Sequence, residues 1–148
     1  MSIAIMSIAV KPKSQVSKAQ KTQCMRVRDE WGNYHSRLIT GDDVVVEYTY
    51  FTGRAPRETW STTVITLDGK VYELVKDGET LESFCYEYDL NEKMKQEILK
   101  EVATETRRGR IHRFDMNEDN LAKADPSLKA FVEMLRQTYY CNTYPYLC

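Results

Sequence analysis

"VVVEYTYFTGRAPRETWSTTVITLDGKVYELVK", residues 44–76, decides the fold. Its first nine residues, 44–52, are dense in β-branched and aromatic side chains, which suit a pleated and half-buried surface. "GRAP" (53–56) interrupts the run, because Pro56 has no N–H to give a central ladder. Residues 57–67 resume the strand pattern, "DG" (68–69) is a strong hairpin signal, and 70–76 lead back. Upstream, "QCMRVRDE" alternates Met25 and Val27 against Arg26 and Arg28, "WGN" (31–33) turns the chain, and "YHSRLIT" (34–40) returns. With "GDD" (41–43) as a further turn, the pattern predicts a five-stranded antiparallel meander.

Downstream the period changes. Leu81, Phe84, Cys85 and Tyr88 recur at i, i+3, i+4 and i+7, the spacing of a short amphipathic helix over 80–88. Asp89, with Glu92 three residues on, reads as the cap of a helix over about 90–108, with Leu90, Met94, Ile98 and Val102 facing the sheet. Gly109 stands where a left-handed glycine ends such a helix. Asp125 caps another helix, Pro126 fits its first turn, and Leu128, Phe131, Val132 and Leu135 form its buried face. The fold class is therefore α+β: a five-stranded antiparallel meander followed by two longer helices and one short helix packed on one face.

The chain divides into three parts on composition. Residues 1–22 read as a flexible basic arm, since "KPKSQVSKAQKTQ" has almost nothing to bury. Residues 23–138 form one α+β domain, and 139–148, "YYCNTYPYLC", an aromatic tail that ends the last helix and lies on a surface. The repeated MSIA at 1–4 and 6–9 reads as an alternative start at Met6, and without a basic leader the opening is a poor signal peptide. No stretch approaches the about 18 apolar residues of a membrane span.

Charge and cysteine usage narrow the classes further. Lys and Arg number 21 against 22 Asp and Glu, so any anion site is local rather than a bulk basic surface. The four cysteines (Cys24, Cys85, Cys141, Cys148) have no CxxC spacing and do not pair with His35 and His112 at zinc-finger intervals, so no metal and no cofactor is expected. Free thiols and a cytoplasmic setting follow from the same usage. "DMNEDN" (115–120) opens like a calcium loop but has Asn120 for the turn glycine and Pro126 at the twelfth position.

The concentrated chemistry lies in "ETRRGRIHRFD" (105–115). Arg107 and Arg108 fall in a last helical turn, where cations face unpaired carbonyls. Arg110, His112, Arg113 and Phe114 lie beyond Gly109 and need another reason. In an extended segment Arg110, His112 and Phe114 share one face, and a guanidinium, an imidazole and an aromatic ring suit a phosphate-bearing ring. Asp115, Glu118 and Asp119 follow closely enough to pair with these cations. A second basic point is the loop after residue 52, where Arg54 and Arg57 flank Pro56, with Phe51 and Trp60 near its ends.

Three functions are compatible with these features. The first is a small non-enzymatic binding or regulatory protein that captures a nucleotide or nucleic acid through Arg54, Arg57, Arg110, His112, Arg113 and Phe114. The order of sheet then helices loosely resembles phage counter-defence proteins that sequester nucleotide signals, a likeness of architecture that covers no motif and implies an inhibitor of that kind. The second is a homo-oligomeric interaction module whose tyrosines (Tyr48, Tyr50, Tyr139, Tyr140, Tyr144, Tyr146) line an interface. The third is a metal-free phosphodiester-cleaving enzyme built from His35 and His112, with Glu47 and Arg113.

Overall fold

The computed structural model describes residues 23–147, apart from 30, 40, 54–57 and 81–82. The basic arm 1–22 and the arginines Arg54 and Arg57 therefore lie outside the described residues. Strands β1 (Gln23–Arg28) and β2 (Tyr34–Ile39) form a hairpin, followed by β3 (Val44–Thr52), β4 (Thr59–Thr66), β5 (Lys70–Asp77) and β6 (Ser83–Asp89). Helix α1 (Glu92–Arg107), strand β7 (Ile111–Met116), and helices α2 (Glu118–Lys123) and α3 (Pro126–Thr143) complete the order, with a 3₁₀ turn at Pro145–Leu147.

The class is α+β, and its centre is an antiparallel five-stranded sheet, β6-β5-β4-β3-β7. The β1–β2 hairpin extends it through a parallel pairing of β1 with β6, giving the order β2-β1-β6-β5-β4-β3-β7. Gly69, with φ of +77°, makes the tight β4–β5 turn that "DG" promises.

Two expectations need correction. Residues 83–89 form a strand, not the end of a helix, and pair along β5 from Lys76↔Ser83 to Lys70↔Asp89. A helical reading of 80–88 had little more than two turns behind it. The aromatic-rich "SFCYEYD" instead finds a complete ladder on β5, and pairing outweighs spacing. Asp89 accordingly ends β6 and pairs with Lys70, while Asn91 caps α1 by accepting from the Met94 amide at 2.9 Å.

The second correction concerns "GDD". It is a turn, yet β2 and β3 are not sheet neighbours, because β1, β6, β5 and β4 stand between them. The link from Ile39 to Val44 reaches at most about 18 Å, whereas five flat inter-strand steps would span about 24 Å. The sheet must curl to close that gap, as accumulated strand twist allows.

Both faces of the curled sheet are buried. Against the helices lie Val45, Val46, Tyr48, Ile65 and Val71, packed with Ile98, Val102, Phe114, Leu128, Phe131, Val132 and Leu135. A bulge between Val44 and Val46 lets both Val45 and Val46 join this layer. On the opposite face Val44, Val64, Tyr72 and Cys85 form a second cluster. Burial pushes the Cys85 thiol up to about 11, and Glu87 and Glu73 add to the rise.

Helix α3 is capped as its sequence promises, with the Asp125 carboxylate accepting from the Leu128 amide at 2.8 Å and Pro126 in the first turn. It continues through Tyr139 to Thr143, so the aromatic tail begins as helix. Cys141, within that stretch, is disulfide-bonded, which departs from the expectation of free thiols. Among the described residues no helix is long and apolar enough to cross a membrane.

Asp125→Ala is expected to cost about 1 kcal/mol through the lost cap, measured as a lower midpoint in urea with an unchanged slope. In the intact protein the Cys85 thiol is expected to resist iodoacetamide at pH 8 and to react only after unfolding, which mass spectrometry of the labelled peptide would read.

Candidate ligand-binding site

The arginine-rich stretch separates into pieces once it is folded. Glu105, buried in the last turns of α1, meets Arg108 at 3.7 Å and Arg110 at 3.6 Å, and Arg107 donates to the Asn142 side chain at 3.2 Å. Gly109, at φ of +69°, then turns the chain out of the helix into β7.

In β7 the expected division of faces fails. Phe114 lies opposite Tyr48 and Arg113 opposite Thr49, but the next pair is Ile111 with Tyr50. The irregularity leaves His112 as an extra residue and breaks the alternation. Ile111 and Phe114 consequently both face the helices. Phe114 is buried, stacked on Tyr139 at 4.3 Å and 6.1 Å from Tyr48. His112 and Arg113 point to the other side, so Arg110, His112 and Phe114 do not make one face.

Arg113 also has a structural task. Its guanidinium is 3.1 Å from Asp115 and 3.6 Å from Glu47, which is only 1% exposed. Buried carboxylates are costly without a countercharge, and Arg113 contributes one. Arg110 and Arg113 thus both have acid partners.

His112 is different. It is exposed, and its ring meets the Trp60 indole edge-on, with centroids 5.2 Å apart at 84°. Phe51 lies on the other side of Trp60, at 5.3 Å. Phe51 and Trp60 are cross-strand partners, one pair before the end of the β3–β4 ladder at Thr52↔Thr59. Lys76, exposed, pairs with Trp60 from β5. In the chain, the segment that carries Arg54 and Arg57 links Gly53 to Glu58. His112 of the 105–115 segment therefore meets Trp60, three residues beyond Arg57 in the chain, while Arg54 and Arg57 themselves lie outside the described residues. Adjacent chain positions could not have revealed that contact, since it depends on β7 pairing with β3.

On the helix side, Tyr48 and Tyr50, read in the sequence as interface tyrosines, instead meet a glutamate that the sequence does not single out. Glu101 of α1 accepts from the Tyr48 hydroxyl at 2.7 Å and from the Tyr50 hydroxyl at 2.8 Å. Burial, reinforced by the negative charge of Glu101, holds both phenols well above their usual range. Beside them a cleft of about 160 Å³ is lined by Thr63, Val71, Glu73, Met94, Glu97 and Glu101. Burial, then the charge of Glu101, raises the Glu73 carboxyl. Tyr48 is fully buried and Tyr139 packs against the core, so neither is an outward tyrosine, whereas Tyr144 and Tyr146 are exposed.

The two histidines belong to the end strands of the sheet order. His35 lies on β2 and His112 on β7, with five strands between. Among the described residues no group of three His, Cys, Asp or Glu side chains could hold a metal. Comparison with known proteins returns no matching family model, no matching curated protein and no matching solved structure.

The cleft carries its own pH signature. A carboxyl whose folded value is raised favours the neutral form, so folding is opposed once pH exceeds the unfolded value and Glu73 ionises. Glu73→Gln is expected to raise Tm at pH 7 and leave it unchanged at pH 3. Glu101→Gln, which weakens two charge-assisted bonds, is expected to lower Tm at pH 7. Parallel melts at the two pH values check both.

Proposed function

We propose that this protein is a non-enzymatic binding protein for a phosphate-bearing ligand with an aromatic base, a nucleotide or a short nucleic-acid strand. The observation that carries the reading is the half-exposed Phe51–Trp60–His112 cluster at the root of the segment bearing Arg54 and Arg57. A base stacks on such an aromatic platform, and base–aromatic stacking is worth about 1–3 kcal/mol per base. In this reading a phosphate is met by the His112 imidazole and the exposed Lys76 ammonium, together with Arg54 and Arg57 of the loop. Arg113 acts in this reading as a support for β7 rather than as a ligand group, because its charge answers Glu47 and Asp115.

A thermal-shift panel of mononucleotides, cyclic nucleotides and short oligonucleotides tests the reading. A ligand that binds the folded state alone stabilises it by RT ln(1+[L]/Kd), about 2.7 kcal/mol at a hundred times Kd. At least one ligand is expected to raise Tm, and Trp60→Leu and His112→Ala are each expected to weaken its binding about tenfold or more while keeping the fold. A flat response across the panel, or a shift that persists unchanged in Trp60→Leu, would overturn it.

A further inference from the structure

Strand β7 ends the sheet, and among the described residues nothing pairs with its outer edge. Which of its backbone groups face outward follows from the ladder. The Asn117 amide donates to the Val45 carbonyl, and the register pairs Asp115 with Glu47 and Arg113 with Thr49. Hydrogen-bonded positions alternate along an antiparallel pair, so Asn117, Asp115 and Arg113 direct their N–H and C=O groups to β3. Phe114 and Met116 direct theirs outward, a template for one more strand.

The geometry points to a second copy of this chain as the occupant, with the two β7 strands antiparallel about a two-fold axis at Phe114. Three registers pair Phe114 with a position of the same parity on the partner's β7. Pairing Phe114 with the partner's His112 sets Arg113 against the partner's Arg113. Pairing Phe114 with the partner's Met116 sets Asp115 against the partner's Asp115. Only the register that pairs Phe114 with the partner's Phe114 sets Arg113 opposite the partner's Asp115, twice over. Those positions are the close, non-hydrogen-bonded ones, where opposite charges stabilise and like charges repel. Charge thus selects one of the three registers that pair Phe114, the middle of the strand.

The flank of α3 supports the same axis. Phe114 stacks on Tyr139, while Arg136 reaches Met116 at 3.1 Å and Glu118 at 2.8 Å, so α3 runs antiparallel to β7 along that edge. Tyr140, one turn beyond Arg136 on the same flank, continues into a strip with Tyr144 at 5.2 Å and Tyr146 at 6.3 Å. Tyr146 is 81% exposed. An interface through the β7 edge would cover this strip, giving the exposed tyrosines a partner surface of the type they favour.

Sedimentation equilibrium of the full chain tests the pairing without any ligand, so its outcome is independent of the nucleotide reading. At about 100 μM the expected mass is twice 17.3 kDa. Met116→Pro removes an outward N–H while sparing the bonds to β3, and is expected to give a folded monomer by circular dichroism. Arg113→Asp and Asp115→Arg are each expected to be monomeric alone and to form a dimer when mixed. Hydrogen exchange of the unaltered protein covers the case in which these variants do not fold. The Phe114 and Met116 amides are expected to exchange at least tenfold more slowly at 100 μM than at 1 μM. A monomer at 100 μM, a folded Met116→Pro dimer, or Phe114 and Met116 amides that exchange freely within a dimer would each overturn the proposal.

Discussion

Glu101 accepting from both Tyr48 and Tyr50 is the constraint from which the rest of the molecule follows. Tyr48 is buried on the sheet, and a buried hydroxyl must find an acceptor. The acceptor comes from α1, so the rotation of that helix about its axis is set by two phenols two residues apart on β3. Ile98 and Val102 then fall into the core, Glu105 falls at the buried end, and the helix stops where Gly109 can turn. The chain re-enters the sheet as β7, beside β3, the strand that already holds the tyrosines. His112 is consequently delivered to the β3–β4 end of the sheet, where Trp60 stands.

The opposite face of the same strands shows what the cations of β7 are for. A sheet that buries Glu47 and Asp115 requires a countercharge close by, and Arg113 is one residue along from the bulge that accommodates it. A guanidinium between two carboxylates is a poor phosphate grip, because any anion would have to compete with partners already held in low dielectric. The bulge has the further effect of separating His112 from the Arg113 network. One strand therefore presents a structural arginine, a core aromatic and an exposed imidazole in three consecutive positions.

Much of the fold was legible because its signals are local. The caps and glycines of α3, β4–β5 and the end of α1 each act within a few residues, and the hydrophobic stripe of α3 reads directly as its buried face. The apolar residues of 80–88 satisfy a helical period as readily as a strand, and only the ladder on β5 decides. The order of strands was not legible, since nothing near "GDD" reveals that the next strand pairs elsewhere. The site was legible in parts. Phe51, Trp60 and His112 could each be noticed, but their contact depends on a long-range β3–β7 pairing and a bulge. Glu101 gave no sign at all, being one glutamate among many on a charged helix face.

The site assignment is tested most directly by following the backbone amides and the Trp60 indole N–H in a two-dimensional ¹H–¹⁵N spectrum during titration with the ligand that stabilises the protein best. Perturbations centred on Phe51, Trp60 and His112, with the Arg113 and Asp115 amides little moved, are the expected result. Perturbations centred on the Glu73–Glu101 cleft or on the C-terminal tyrosines, with Trp60 unmoved at saturation, would contradict it.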